Sequence, residues 1–342
     1  MGDRFLALSE QDRRDALEAA ATASGCPAYL LEKDVWVVWA LDVLFAQPFG
    51  KHLVFKGGTS LSKAHGNLIQ RFSEDVDLTY DIRQLIAGPE RDVTEPLPTS
   101  RSQEKKWTSA VRRALPAWIQ ANVVPALQKA IDAGSTPLSL STSSDKIELR
   151  YPPVTAGRDY VRPVVLLEFG ARSSGEPAQQ VEVACDAAAY LDLEFPRAVP
   201  RVMHAERTFW EKATAAHVYC LQDKTPERYA RHWHDMARLE QKGFVDAAIA
   251  EPQLGQQVVA HKQMFFECRS VDGRVIQYAD VLQGGLRIVP CSKGRDHLAA
   301  DYQSMIDGGL LDGSPISFDS LMDQCGCIEE KVNAAFAVSE RT

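Results

Sequence analysis

Residues 56–80, KGGTSLSKAHGNLIQRFSEDVDLTY, leave few folds open to this chain. HLVFKGG, which leads into the stretch, reads as a short strand ending in glycines, and DVDLTY reads as a second strand. Gly57 and Gly58 permit close backbone approach, and Thr59 or Ser60 can cap a helix between the strands. Asp75 and Asp77 flank Val76, so on an extended segment both carboxylates point to one face. Two acids on one face repel each other unless a cation sits between them. The order of parts predicts an α+β domain with a place for a metal and, beside it, a phosphate.

The rest of the chain extends this domain and adds another. Its 342 residues exceed what one hydrophobic core usually holds. Ser9 and Asp12 read as a capping box opening a helix to about Thr22. YLLEKDVWVVWALDVLFAQ repeats apolar residues at helical spacing until Pro48, with its tryptophans in the core. Residues 82–100 read as loop, and residues 102–133 as helix broken at Pro116 and Pro125. KIELRYP, RPVVLLEFG and QQVEVACDA read as strands, and from Glu206 onward the pattern is helical. A boundary between Ala198 and His204 divides a mixed-sheet domain with flanking helices, residues 1–203, from an α-helical C-terminal domain, residues 204–342.

Charge and cysteines narrow the setting. The net charge of −8 gives no overall basic field, so any nucleic-acid surface must be local. The seven cysteines are scattered, and only Cys325 and Cys327 stand close, without zinc-site spacing. The charged N-terminus lacks the apolar core of a secretory signal, and no window approaches the ~18 apolar residues of a membrane helix. A cytoplasmic protein with no membrane partner is expected.

Asp75 and Asp77, with a third carboxylate from a neighbouring strand, make the minimal site for two-metal phosphoryl transfer. Glu168 is the best third acid, because a lone carboxylate in VVLLEF is costly to bury without a cation; Asp186 and Glu182 are the reserves. Gly57, Gly58 and the helix start at Thr59 would hold terminal phosphates through backbone N–H groups, with Lys63 one turn on. GGTSLSK lacks the spacing of a P-loop. In the helical half, Lys212 could face triphosphate oxygens and Asp235 could order it or act as a base. By spacing alone, however, Arg207 with Glu211 and Arg231 with Asp235 read as intrahelical pairs. His232 and His234 read as structural, and the basic run RSQEKKWTSAVRR as a solvated face or a surface that tracks RNA phosphates.

FKGGTSLSKAHGNLIQRFSEDVDL, ERTFWEKATAAH, RYARHWHDMARL, and AADYQSMI near ISFDSLM resemble, in that order, the AbiEii/AbiGii toxin family of nucleotidyltransferases. That family belongs to the DNA polymerase β-like nucleotidyltransferase superfamily, and the resemblance runs from about Leu31 to Ala335. It implies a nucleotidyltransferase-type sheet domain and a toxin of a toxin–antitoxin or phage-defence system with a cognate antitoxin. It implies Mg2+ or Mn2+, an NTP substrate, and transfer of NMP to an RNA acceptor, the tRNA 3′ end, so blocking translation. Carried over by motif, Gly57, Gly58 and Thr59 match the glycine motif, and Asp75 and Asp77 the metal pair, with Ser73 in their lead. Lys212 and Asp235 match the lysine and aspartate of two later motifs, which reverses the spacing-only reading of them. The rivals are a two-metal nuclease, nucleotide transfer to a protein hydroxyl, and a non-catalytic nucleotide-binding regulator.

Overall fold

A computed structural model of the chain describes residues 3–134, 138–156, 161–224 and 226–337. They fall into two units. The first is Met1–His65, Ser73–Thr94 and Ser109–Met203; the second is Gly66–Phe72, Glu95–Thr108 and His204–Thr342. No helix among the described residues is long and apolar enough to cross a membrane.

In the first unit, α1 (Glu10–Ser24) starts where the Ser9 hydroxyl accepts the Asp12 N–H, and Gly25 in the left-handed region ends it. Next come α2 (Ala28–Phe45), β1 (Leu53–Lys56), α3 (Gly57–Ala64), β2 (Val76–Tyr80) and the one-turn α4 (Ile82–Leu85). Helix α5 (Arg101–Trp118), of which residues 109–118 belong to this unit, runs on past Pro116 into a π-turn at Ile119–Val123, and Pro125 stands at the start of α6 (Val124–Ala133). Pro116 therefore does not break the helix. The wider turn at 119–123 instead contains Ala121, whose carbonyl Pro125 cannot bond.

Strands β3 (Ser139–Ser143), β4 (Lys146–Arg150), β5 (Val164–Gly170), β6 (Ala178–Gln180), β7 (Val183–Ala184), β8 (Arg197–Ala198) and β9 (Arg201–Met203) complete this unit. Seven strands form one mixed sheet in the order β3-β4-β5-β2-β1-β9-β6. β2 runs antiparallel to β1 and parallel to β5. Helix α2 is apolar on nearly every side and packs on β5, β8 and α6, with Leu31, Val35, Val38, Leu41 and Leu44 buried.

The second unit is built from α7 (Ala205–Gln222), α8 (Ala230–Gln241), α9 (Phe244–Ala250), α10 (Pro252–Phe265), α11 (Ser292–Asp307) and α12 (Phe318–Ala335). Helix α7 packs on α8, α9 and α10, and α8 on α11 and α12, around the fully buried Trp210 and Trp233. Each indole N–H finds a backbone carbonyl, Trp210 at Ala248 and Trp233 at Ile288. Residues 66–72 join this unit as a strap: the Phe72 N–H donates to the Leu310 carbonyl at 2.7 Å, and the Asp312 N–H to the Gln70 carbonyl at 3.0 Å. Cys325 is buried on α12 while Cys327 is exposed.

His217 sits in this helical core, 1% exposed, with Nδ1 accepting the Arg287 N–H. Burial, with Arg287 adding to it, pushes its imidazole down to about 4. The unfolded chain, titrating near 6.5, therefore binds more protons than the native state between about pH 4 and 6.5. Stability is full above that window and is lost as pH falls through it, by up to about 3 kcal/mol. Urea unfolding at pH 7.5, 6, 5 and 4.5 should show this slope. His217→Gln should lessen it, leaving what His232 and His234, whose imidazoles burial also lowers, contribute, and an unchanged slope in that variant would remove His217 as a cause.

Candidate active site

The junction of β1 and α3 sets the geometry. Gly57 has φ +79°, a conformation glycine adopts without strain, and it opens the helix directly rather than forming a separate turn. A Cβ built on Gly57 would lie 2.2 Å from Oδ2 of Asp77, so this carboxylate rests in the space that a side chain would fill. β1 and β2 pair Lys56 with Asp77, which brings the next residue, Gly57, to that carboxylate. The helix carries no side-chain cap. The Thr59 hydroxyl instead donates to the Asp75 carbonyl at 2.5 Å and accepts from the Ser73 hydroxyl at 2.9 Å. Ser73 and Thr59 thus fix the backbone ahead of Asp77.

Asp75 stands just before β2 and Asp77 within it; both are partly exposed, with the buried Val76 between them. Glu168 on β5 lies in register with Asp77, and Lys146 on β4 in register with Glu168. Paired residues project to the same side of a sheet, so Lys56, Asp77, Glu168 and Lys146 form one row across four strands. The Lys146 ammonium bonds Glu168, which raises the lysine's pKa. The two reserve acids lie elsewhere in the network: Asp186 bonds Lys63, and Glu182 pairs with Arg197 at 2.9 Å.

Among the described residues, no three acids, histidines or cysteines converge as a preformed metal cage. The donors at Asp75, Asp77 and Glu168 are carboxylate oxygens only, which suits Mg2+ or Mn2+. Mg2+ is usually held by one or two carboxylates together with substrate phosphates and water, not by an all-protein cage. Gly57, bare of a side chain beside Asp77, leaves the room this requires.

Lys63 projects to a different set of groups. Its ammonium lies 2.7 Å from Asp34 and 2.6 Å from Asp186, and its side chain is buried. Burial lowers the Lys63 pKa, but the two carboxylates outweigh it and raise the net value. Asp34 belongs to a group of residues that the helical pattern of α2 conceals, three consecutive buried charges at Glu32, Lys33 and Asp34. The available signal was the run Glu-Lys-Asp inside an otherwise apolar helix, since buried charges need partners.

In the second unit, Asp235 is wholly buried and receives a two-pronged bond from Arg71, at 2.7 and 2.8 Å. Lys212 lies 2.8 Å from the same carboxylate and 3.3 Å from Nδ1 of His232. Burial pushes Asp235 up, but Arg71 and Lys212 prevail and hold it well below the usual carboxylate range. Burial lowers Lys212 against the pull of Asp235. His234 bonds the Ile69 carbonyl, so the two histidines serve separate contacts. Arg207 does approach Glu211, at 3.4 Å, but also binds the buried Glu95 at 2.8 Å. Arg71, 164 residues from Asp235, is the functional candidate that spacing could not reveal.

Comparison with known proteins identifies the family. A profile of the family described as "Nucleotidyl transferase AbiEii toxin, Type IV TA system" matches residues 39–324. Among solved structures, the chain is similar to MenT4, a nucleotidyltransferase toxin from Mycobacterium tuberculosis H37Rv. The identity is 17% and the TM-score 0.44, over 96% of this chain and 89% of that one. It is also similar to JHP933 from Helicobacter pylori, at 14% identity and a TM-score of 0.41, over 96% of this chain and 95% of that one. No curated protein matches the chain.

Two stability measurements check the geometry. Gly25 also has positive φ, but a Cβ there meets nothing within 4 Å. Gly25→Ala should therefore cost only the left-handed conformation, about 1–2 kcal/mol, and Gly57→Ala about 1–3 kcal/mol more for overpacking against Asp77. Equal losses in urea unfolding would mean that Asp77 does not press on Gly57. Arg71→Met leaves a buried carboxylate with Lys212 alone and should cost about 3–5 kcal/mol. Adding Asp235→Leu should deepen the loss, because it strands the buried Lys212 ammonium without its carboxylate, and a single-variant cost below about 1 kcal/mol would be that of an ordinary surface pair.

Proposed function

The chain belongs to the AbiEii nucleotidyl transferase toxin family of type IV toxin–antitoxin systems, and from its site we propose that it transfers NMP from an NTP to an RNA acceptor. The acceptor in this reading is the tRNA 3′ end, whose modification in the cytoplasm stops translation. Membership of a type IV toxin–antitoxin family implies an NTP substrate and a cognate antitoxin partner.

One observation carries the reading: Gly57 opens α3 with no side chain, and the Asp77 carboxylate rests against it. The first-turn N–H groups of a helix have no intrahelical partner and favour phosphate. An acid beside them is where a phosphate-bridging cation belongs. In this proposal the backbone N–H groups at Gly57, Gly58 and Thr59 receive the terminal phosphates. Asp75, Asp77 and Glu168 would hold the Mg2+ or Mn2+. When bound, such an ion neutralises phosphate charge and lowers the pKa of the attacking hydroxyl. Ser73 acts through Thr59, keeping the backbone of Asp75 in place.

Lys212 supplies positive charge for the triphosphate. Of its three N–H donors, one faces Asp235 and another His232, which leaves a third for a phosphate oxygen. Asp235 orders that ammonium, and Arg71 fixes Asp235. Lys63, engaged by two carboxylates, serves nucleotide binding by holding α3.

Incubating lysate RNA with each of four labelled NTPs and Mg2+ tests the proposal. One NTP should label an RNA band of tRNA size and lengthen it. Asp77→Asn should lower this transfer by at least about 100-fold while keeping the fold. Shortened fragments would identify a nuclease instead, and label in protein alone a protein acceptor. Wild-type transfer by Asp77→Asn would refute the site.

A further inference from the structure

Three consecutive charges of α2 lie inside the first unit. Glu32 is 4% exposed, Lys33 3% and Asp34 7%. Successive helical residues point about 100° apart, so the three side chains reach different segments. Glu32 accepts from the N–H groups of Val154 and Thr155 at 2.8 and 3.0 Å and from the Thr155 hydroxyl at 2.5 Å. Lys33 binds the Glu74 carboxylate and the Arg162 carbonyl. Asp34 binds Lys63 at 2.7 Å and accepts the Asp186 N–H at 2.7 Å.

The last two sets of contacts meet at the proposed site. Glu74 directly precedes Asp75. Lys63 lies on α3, the helix that Gly57 opens. The Asp75 carbonyl is joined to α3 by the Thr59 hydroxyl. The contacts therefore close a ring: Lys33 to Glu74, along the backbone to Asp75, across to Thr59, along α3 to Lys63, and back to Asp34, the neighbour of Lys33. Burying charges of this kind costs several kcal/mol per ion, and apolar replacements of the same volume are often as stable or more so. Stability alone does not account for the ring, whereas fixed geometry does.

We propose that Lys33 and Asp34 are positioning residues for nucleotidyl transfer, closing a polar ring that sets Asp75 against the first turn of α3. The proposal rests on the site described above but concerns side chains that touch neither substrate nor metal. Burial pushes the Asp34 carboxyl up to about 6 against the pull of Lys63, so at neutral pH the pair remains ionised.

Lys33→Met, Lys33→Arg and Glu74→Gln separate positioning from packing. Glu74 is less buried than Lys33, so Glu74→Gln tests the ring even if Lys33→Met fails to fold. In metal-free protein, hydrogen exchange at the amides of residues 73–76 should quicken by about tenfold in Lys33→Met and Glu74→Gln. Lys33→Arg, which keeps the charge and donors, should restore slow exchange. In labelled-NTP transfer, kcat should fall about 10- to 100-fold in the first two variants, with KM for NTP little changed. Quicker exchange with unchanged kcat overturns the proposal, as does lowered kcat with unchanged exchange. Asp77→Asn is run alongside: if it transfers like wild type, the assignment of the site fails, and the exchange rates still report whether the ring holds residues 73–76.

Discussion

The register of β2 between β1 and β5 is the constraint on which the acidic face depends. Val76 and Leu78 are fully buried, and Asp77 between them is not. Side chains alternate along a strand, so a slip of one residue would bury the acid and expose both apolar residues. With the register held by that burial, antiparallel pairing to β1 sets Asp77 opposite Lys56, and parallel pairing to β5 sets it beside Glu168. The chain turns into α3 at the residue after Lys56, so the helix start meets the same carboxylate. Gly57 is the only kind of residue that both its backbone angle and the space left by Asp77 allow.

A second regularity runs through both units. Charges that cannot reach water are placed between two partners, at least one of them from a distant part of the chain. Asp235 takes Arg71 and Lys212, Lys63 takes Asp34 and Asp186, and Arg207 takes Glu95 and Glu211. A buried ion pair repays its desolvation only with good geometry, so it resists small displacements more sharply than an apolar contact. Such pairs fit segments whose relative placement matters, namely the strap at 66–72, the loop that carries Glu95, and helix α3.

How much of this was legible depended on whether a signal was local. The shared face of Asp75 and Asp77 followed from the period of an extended chain, and the Ser9 cap from a short motif. Glu168 was singled out as one acid in an apolar strand, costly to bury without a cation; it stands on the strand beside Asp77, but it is partly exposed and paired with Lys146, so burial does not set it apart. Thr59 or Ser60 was expected to cap a helix; the helix starts at Gly57, so both lie inside it, the Thr59 hydroxyl bridging Ser73 and Asp75 and the Ser60 hydroxyl donating to the Gly57 carbonyl. Asp235 had an arginine at helical spacing, Arg231, yet takes its two-pronged bond from Arg71, far away in the chain. Side-chain pairing across such distances has no period, and the Glu-Lys-Asp run of α2 was hidden for the same reason.

The charges that remain half-exposed are of another kind. The Lys146–Glu168 pair has side chains 52% and 32% exposed, and pairs in such settings are worth little, about 0–1 kcal/mol. A partner held so weakly can be exchanged for a stronger cation at small cost, whereas Asp235 or Asp34 could not release theirs without stranding a buried charge. Asp77 and Glu168 on the sheet face thus keep access to water, and Glu168 a replaceable neighbour. The acids behind them are buried and committed to lysine and arginine. That division leaves the open face free to change its counter-ion during a reaction while the backbone beneath it stays fixed.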